Sequence, residues 1–540
     1  MVLIKRALRR FFFGSGAYNF FISKIQLKDI VFVPEETFPG DPALGDNIYH
    51  GHFDLRGKKV FFSENPFQKN KKAERDWLDE LHSFSWLRHL KAKSGSLARK
   101  QARYLIKNWV QNNKNWNEKS WEPYVLAKRI SAWLTNIDFL LAEKDDEFSL
   151  LLRRNLLKQI KHLTSITSKK YFKFFQDNPH TFKYDIRKIS IVKGLILGQI
   201  SFGSEQTKYK NSLDLLEEAI KSNFNNEGVH KTRSPSTQLQ VLSDLVTIRE
   251  SFIMGNKNVP ETLEKNIKRI AHSLRFFRSL DGSFATFNGS KKENKTVIDK
   301  ILNVADGKAR ARGPTSLFES GFERLTKSNV CVFIDTLSKN EYTCAKSPHS
   351  IEISIGKERL IGSCGATNGK SSEWKKVLLS NSANSTLTID ETNAFTGQDK
   401  KQYFSSKRYV KNGFDVVECI HHGYLKRFSC ICSRTVELEK NGKSIAILDT
   451  IHSDKLNTFF IRLHFSPSVK ISLSIDKNSA LITTKDQGLL FKYSGKAKLF
   501  LENSIFVQDS GKIENTSQLV LKGETTNKQT DILWAISKID

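Results

Sequence analysis

The hydrophobic period changes once along the 540-residue chain, and this change limits the folds that it can adopt. Between about residues 74 and 277, apolar residues recur three and four positions apart, as in Trp77, Leu78, Leu81 and Phe84. That spacing puts apolar side chains on one face of an α-helix. Six of the eight tryptophans lie between Trp77 and Trp133. We therefore predict an array of helical hairpins with an aromatic-rich inner face.

From about Gly321 onward, short alternating runs replace the helical pattern. Asn-Gly pairs separate these runs, and such pairs favour tight turns between antiparallel strands. The stretch Thr435–Lys440, the pair Asn441-Gly442 and the run Ile445–Leu448 together predict one hairpin. We expect an antiparallel β domain that continues nearly to the end of the chain.

The two patterns divide the chain into three predicted segments. These are an irregular N-terminal arm over residues 1–73, a helical domain over 74–310 and a β domain over 311–540. The stretch Asn288–Arg312 is charged and weakly apolar, which is typical of a linker. No fixed-period repeat of the kind found in solenoids is evident.

The chain is strongly basic, with 86 Lys and Arg against 57 Asp and Glu, and a net charge of +29. Such a charge favours polyanionic partners: nucleic acid, an anionic membrane or an acidic polysaccharide. Nucleic acid is the weakest of the three, because no nucleic-acid recognition motif is present. The alternative is that the charge is simply solvated over the whole surface.

The cysteines and the N-terminus say little about location. The six cysteines contain no CxxC pair, and Cys430 and Cys432 would share one face of a strand, so no disulfide framework is predicted. No apolar run reaches the length of a membrane span. The segment Met1–Arg10 is basic and Phe11–Ile22 is apolar, but Gly14, Ser15 and Gly16 interrupt it, so we predict no cleavable signal.

Five short stretches recur in a characteristic order and spacing. They are Trp121-Glu122-Pro123-Tyr124 with Arg129, Leu280–Gly289, Ser320–Leu325, Ile351–Gly356 and Ala383–Asp390. Together, more than singly, they resemble the heparinase II/III family of polysaccharide lyases, in particular its bacterial heparinase-like branch. The resemblance implies an α+β multidomain protein, with an N-terminal incomplete α/α toroid followed by a C-terminal antiparallel β-sandwich. It also implies β-elimination on an acidic glycan, and a cell-envelope or periplasmic location. Without a clear signal peptide, a cytoplasmic location stays open.

β-Elimination at a uronate needs a group that neutralises the carboxylate, a base for the C5 proton and an acid for the leaving O4. The family carries an Asn-His pair in the toroid, and Asn178 and His180 lie near the corresponding point, with Pro179 between them. Asn178 would then grip the carboxylate, and His180 would act as base or neutraliser. The alternative is that this stretch caps a helix beside the proline.

A second candidate is the loop that contains His230 and Arg233, which resembles the family loop after an acidic-Gly turn. Characterised lyases place a catalytic tyrosine a few residues later, where this chain has Thr237. The resemblance implies that His230 and Arg233 take part in the active centre instead. The alternative is a surface loop with solvated side chains.

The β half supplies one more catalytic candidate and a prediction about metal. Two family histidines that help bind zinc in some members correspond to Ala345 and Asn384 in this chain. His349 lies about four positions after the first of these two sites. Because a zinc site needs three or four ligands, we predict no zinc site of the family type and no other cofactor. Tyr424, in a His-x-Gly-Tyr stretch, could act as an acid; otherwise the stretch is a turn at a strand end.

Aromatic and basic side chains are the candidates for holding sugar. Trp121, Trp133 and Trp374 could stack on pyranose rings, although tryptophans at helical spacing also serve as core. Arg129 and Arg187 could contact acidic groups in a bidentate manner, or be solvated.

The sequence thus predicts a polysaccharide lyase acting on a uronate-containing glycan. The alternative is a protein with diminished catalytic activity that binds an anionic glycan or has a structural role in the envelope. Thr237, Ala345 and Asn384 stand where the family has its catalytic tyrosine and its two histidines, and these replacements favour that alternative. Glycosidic hydrolysis is weaker, because no pair of carboxylates stands out.

Overall fold

The computed structural model describes residues 2–68, 74–167, 187–204, 206–337, 347–366, 372–395, 403–508 and 511–539. The chain forms two compact units, each assembled from separate stretches. Unit 1 comprises Met1–Phe224, Gln240–Lys268 and Lys300–Ala309. Unit 2 comprises Asn225–Leu239, Arg269–Asp299 and Arg310–Asp540.

Sixteen α-helices lie in the described residues, numbered here in chain order. They are α1 Val2–Gly14, α2 Gly16–Ser23, α3 Pro42–Tyr49, α4 Arg75–Ser83, α5 Leu87–Lys93, α6 Gly95–Asn113, α7 Pro123–Leu134, α8 Ile137–Leu140, α9 Asp146–Thr167, α10 Arg187–Ser201, α11 Gln206–Asn223, α12 Pro235–Met254, α13 Glu261–Phe276, α14 Lys295–Asp306, α15 Ser372–Leu378 and α16 Leu425–Phe428. None of these described helices has the length and apolar character of a membrane-spanning segment.

Local sequence explains where several helices begin. Glu122 caps α7, because its carboxylate accepts hydrogen bonds from the backbone N–H groups of Tyr124 (2.9 Å) and Val125 (3.1 Å). Pro123 then occupies the first turn, where its missing N–H is harmless. Asp41 and Pro42 start α3 in the same way. The stretch Trp121–Tyr124 therefore begins a helix.

The first 73 residues are more regular than the predicted irregular arm. They contain α1, α2, α3 and a hairpin of β1 (His52–Leu55) and β2 (Lys58–Phe61). The predicted linker Asn288–Arg312 likewise contains α14. Four of its apolar residues are buried at helical spacing and form a core-facing stripe: Ile298, Ile301, Leu302 and Ala305. Charged residues lie between them in the sequence.

Unit 2 contains two antiparallel sheets. One sheet has the order β14 (Lys470–Leu473), β15 (Ser479–Thr483), β16 (Gly488–Ser494), β19 (Gln529–Lys538), β12 (Ser444–Ser453), β11 (Cys430–Glu439), β10 (Phe414–His421), β9 (Phe404–Lys411). The other has the order β17 (Lys498–Val507), β18 (Ile513–Glu524), β13 (Thr458–Phe465), β7 (Glu358–Gly362), β6 (Ile351–Ile355), β5 (Val330–Asp335), β4 (Phe322–Lys327), β3 (Ser316–Leu317), with β8 (Leu387–Ile389) on β13. Buried side chains of both sheets form one apolar cluster, so the sheets make a sandwich.

The hairpin predicted around Asn441-Gly442 is confirmed. Strands β11 and β12 pair antiparallel, with Leu438 opposite Ile445, and Gly442 has a φ of +71° that glycine adopts without strain. Burial alternates along β11, which puts Cys430 and Cys432 on its inner face. The predicted fold class, a helical first half followed by an antiparallel β-sandwich, is therefore confirmed.

Candidate functional site

The loop with two predicted site residues, Asn225–Leu239, belongs to unit 2 together with the sandwich. It begins with a turn in which Asn225 Oδ1 accepts a hydrogen bond from Val229 N (2.9 Å). Gly228 has a φ of +81°, and a Cβ there would lie 2.8 Å from the carbonyl oxygen of Arg269. Glycine is therefore required at the acidic-Gly turn.

Glu227 ties this turn to the segment before β4. Its carboxylate accepts hydrogen bonds from the backbone N–H groups of Glu319 (3.0 Å) and Ser320 (2.8 Å) and from Ser320 Oγ (2.5 Å). Ser320 Oγ also accepts a hydrogen bond from Asn225 Nδ2 (2.7 Å). These contacts fix the start of the loop on the sandwich.

His230 is fully buried, so it does not present an exposed base. Its Nδ1 lies 2.8 Å from Thr232 Oγ1, and its backbone N–H donates to Gln238 Oε1 (3.2 Å). Burial, reinforced by the positive charge of Lys231, lowers the pKa of His230 to about 3. The imidazole is neutral at pH 7 and holds the loop in shape.

Arg233 is buried in a structural ion pair. Its Nη2 lies 2.6 Å from Asp335 Oδ1, and both side chains are at most 2% exposed. The guanidinium also donates to the carbonyl oxygens of Ser320 (2.8 Å) and Gly321 (2.9 Å), and it lies 4.2 Å from the Phe322 ring centroid. The backbone of Arg233 has a φ of +57°, which costs energy for a non-glycine residue. Arg233 thus cross-links the loop to β4 and β5.

Tyr424 lies in the interior of the sandwich. Its hydroxyl donates to the carbonyl oxygen of Thr392 (3.0 Å) and accepts from Asn381 Nδ2 (3.1 Å). Burial raises the pKa of Tyr424 well above its usual range. The ring of His421 lies beside it, 5.8 Å between centroids. A buried phenol with both hydrogen-bonding functions used is not placed to protonate a leaving group.

The remaining predicted catalytic and metal positions do not form a cluster in the described residues. Asn178, His180 and Ala345 lie outside the described ranges. The Asn384 amide donates to Ser347 Oγ (3.0 Å) and to the Ser380 carbonyl oxygen (2.7 Å). His349 is buried against His421, 4.6 Å between ring centroids. Within these described ranges, no group of three or more His, Cys, Asp or Glu has the arrangement of a metal site.

Two predicted stacking tryptophans are core side chains. Trp121 is 2% exposed and donates to the Asn113 carbonyl oxygen (3.0 Å). Trp133 is fully buried and packs edge-on against Trp109, 5.6 Å between centroids. Neither ring has a face open to a sugar, because Trp133 lies on the inner face of α7 and Trp121 is buried in the turn before that helix.

Arg129 is also buried and has a structural role. Its guanidinium lies 3.9 Å from the Trp109 ring centroid and donates to Gln159 Oε1 (2.8 Å) and to the carbonyl oxygens of His82 (2.9 Å) and Ser120 (2.8 Å). Arg187 is exposed at the start of α10 in unit 1. Trp374 is half-buried on α15 against a small apolar cluster in unit 2. Arg187 and Trp374 therefore stay candidates for contacting a ligand.

A basic pocket of about 280 Å³ surrounds the turn at Leu280–Gly282 in unit 2. Its charged lining residues are Arg278, Asp281, Lys295, Asp299, Arg310 and Lys357. Four cations face two carboxylates, so the lining carries a net charge of +2. Arg278 and Asp299 are paired with each other, which holds Arg278 in place. Such a pocket can take a carboxylate or sulfate group.

A second cavity, of about 430 Å³, opens on the sandwich. His464 lines it, with Nδ1 2.8 Å from Ser504 Oγ and Nε2 3.0 Å from the Ser382 carbonyl oxygen. Cys364 Sγ lies 3.5 Å from His464 Nδ1. Burial raises the pKa of Cys364 to about 11 and lowers that of His464 to about 4. Both groups are therefore neutral at pH 7, so this pair is not an activated thiolate.

Sequence reasoning missed the basic pocket because its cations come from separate parts of the chain. Lys295 lies in the stretch interpreted as a linker, and Lys357 follows β6. The available signal was the stripe of Ile298, Ile301 and Leu302, which marks α14 as a core helix. That helix brings Lys295 to the turn at Leu280–Gly282.

The comparisons with known proteins agree with this architecture. Heparinase III shares 12% identity with a TM-score of 0.75, covering 98% of this chain and 91% of that chain. A mutant of heparan sulfate lyase HepC from Pedobacter heparinus shares 14% identity with a TM-score of 0.63, covering 97% and 88%. At these identities the likeness shows the fold, which is polysaccharide-lyase-like.

Two sequence matches add to the structural likeness. The FtsZ-localized protein C of Caulobacter vibrioides (strain NA1000 / CB15N) is 28% identical over 370 residues, which make up 66% of this chain. The match spans 60% of that relative's length. Residues 309–535 match the family described as heparinase II/III-like, C-terminal. The chain therefore has a heparinase-III-like fold, and its second half, over residues 309–535, is heparinase II/III-like.

Proposed function

We propose that this protein binds an acidic, uronate-containing polysaccharide on its polysaccharide-lyase-like fold. The observation that carries the proposal is the basic pocket at Leu280–Gly282. Lys295, Lys357 and Arg310 approach the same small volume from different parts of unit 2. A carboxylate or sulfate group on a sugar would relieve their mutual repulsion, and the net charge of +29 would attract a polyanion over longer distances.

The burial of three predicted catalytic residues supports binding over elimination. His230 and Tyr424 are buried with shifted pKa values that favour their neutral forms, and Arg233 is committed to Asp335. We therefore assign these three residues to the fold. The resemblance to lyases keeps β-elimination as the alternative activity, with Asn178 and His180 as the proposed catalytic pair. An envelope or periplasmic location would supply such glycans.

Replacing Lys295 and Lys357 by alanine is expected to weaken binding of heparan sulfate or alginate by about tenfold, because two of the four pocket cations are lost. Dissociation constants measured by calorimetry at low salt would test this. The double substitution Lys470→Ala and Lys477→Ala removes the same charge from elsewhere on the sandwich and should change the affinity much less.

The same samples decide between binding and elimination. If the ultraviolet absorbance of an unsaturated uronate product rises and His180→Ala abolishes the rise, the protein is a lyase and the binding-only assignment is wrong. Equal affinity of wild-type and Lys295→Ala/Lys357→Ala proteins would remove the basic pocket from the proposal.

A second candidate function is association with the cell-division protein FtsZ. It is favoured by the 28% identity to a protein named for its localisation to FtsZ. We expect the purified chain to sediment with FtsZ polymers and to remain in the supernatant when FtsZ is kept unpolymerised. Equal amounts in both supernatants would dismiss this candidate and leave the glycan proposal untouched.

A further inference from the structure

The helices α1 and α2 present an apolar outer surface to solvent. On α1, Ile4, Leu8 and Phe11 follow one another at helical spacing and are 65%, 49% and 82% exposed. On α2, Phe20 and Phe21 are 74% and 54% exposed. We call these five residues the N-terminal apolar face. Large apolar side chains that are clustered and exposed to this extent indicate a surface that binds a membrane or another molecule.

The opposite side of the same helices is fixed to unit 1. Phe13, Tyr18 and Ile22 are buried in the helical core. Tyr18 Oη lies 2.7 Å from His162 Nδ1, and Phe13 packs edge-on against the same imidazole. The two helices are therefore held on the body of unit 1, and their orientation keeps the N-terminal apolar face outward.

The sequence that forms and follows these two helices is basic. The first 28 residues contain six basic residues and no Asp or Glu: Lys5, Arg6, Arg9, Arg10, Lys24 and Lys28. Lys161 of α9 lies 4.1 Å from the Phe21 ring centroid and donates to the carbonyl oxygen of Phe21 (2.8 Å). Arg10 also pairs with Glu118. Apolar side chains bordered by cations are the arrangement that binds an anionic lipid surface.

We propose that the N-terminal apolar face docks unit 1 on the surface of an anionic lipid bilayer. Ile4, Leu8, Phe11, Phe20 and Phe21 would enter the boundary between head groups and acyl chains, while the surrounding basic residues contact lipid phosphates. Charge complementarity favours a lipid surface over a protein groove, because anionic head groups offer a continuous negative plane. The helices lie on the bilayer and do not cross it.

The test is co-sedimentation of the full chain with vesicles. Vesicles of phosphatidylglycerol mixed with phosphatidylcholine should bind the protein at least about tenfold better than vesicles of phosphatidylcholine alone. Phe11→Ser/Phe20→Ser should lose this binding by at least about tenfold, and Lys24→Gln/Lys28→Gln should weaken it. Phe318→Ser/Val410→Ser is the matched control, because these side chains are 75% and 64% exposed in unit 2.

Circular dichroism of each variant checks that the fold is kept. Retained vesicle binding by Phe11→Ser/Phe20→Ser, or equal binding to both vesicle types, would overturn the proposal. It would also be overturned if the wild type formed a concentration-dependent oligomer that the phenylalanine variant abolished, with no binding to vesicles. That result would make the face a contact between protein copies.

Discussion

Asp335→Asn is expected to lower the free energy of unfolding of unit 2 by about 3–5 kcal/mol, because it leaves the buried guanidinium of Arg233 without a counterion. Both side chains are almost completely buried, so water cannot replace the lost carboxylate charge. The asparagine retains an oxygen that can accept the hydrogen bond now made by Leu337 N (2.9 Å). Urea unfolding followed by tryptophan fluorescence measures the change.

Glu261→Gln is the matched control, because it removes the carboxylate of an exposed ion pair with Lys265. Exposed pairs contribute little to stability, so we expect no measurable change in the free energy of unfolding. Arg233→Met combined with Asp335→Asn should be less damaging than Asp335→Asn alone, since no charge is then left unpaired. A double variant as unstable as the sum of the two single variants would contradict the assignment of this pair to the fold.

Acidification is expected to destabilise the protein strongly between about pH 6.5 and pH 3. Burial lowers the pKa of His82, His162, His230 and His421 from 6.5 to about 3. The unfolded chain therefore takes up protons in this range while the folded chain does not, and the stability present above pH 6.5 is lost as the pH falls. Each of these histidines should remove about 2 kcal/mol between pH 7 and pH 5. Urea midpoints at the two pH values measure the sum.

The contribution of one histidine to this loss of stability can be measured separately. His421→Gln cannot take up the proton, so the loss of stability between pH 7 and pH 5 should shrink by about 2 kcal/mol, whatever the variant's stability at pH 7. His50→Gln is the control, because that side chain is 60% exposed at the residue that follows α3. If both variants lose as much stability as the wild type, protonation of His421 does not contribute to acid unfolding.

The second half of the chain was predictable because its signals are local. Alternation along β11 and the Asn-Gly pair before β12 specify strand, face and turn within about twenty residues. The N-terminal segment was harder to interpret, since Gly14 and Gly16 interrupt an apolar run that nevertheless continues as α2. The charged exterior of α14 concealed its apolar stripe in the same way.

The candidate site was less predictable than the fold, because residue type does not reveal the direction of a side chain. His230, Arg233 and Tyr424 have the chemistry that elimination needs, yet tertiary contacts turn all three into the interior. The cations of the basic pocket are distant in sequence, so only the folded chain brings Lys295 and Lys357 together. Whether Asn178 and His180 act on a substrate stays a prediction.

Unit 2 is assembled from three separate stretches of the chain, and this has a practical consequence for expressing it. A fragment cut at residue 309 would contain both sheets and Asp335 but would lack Arg233, Gln238 and the turn at Leu280–Gly282. Its carboxylate would be stranded in an apolar interior, so such a fragment is a poor choice for recombinant expression.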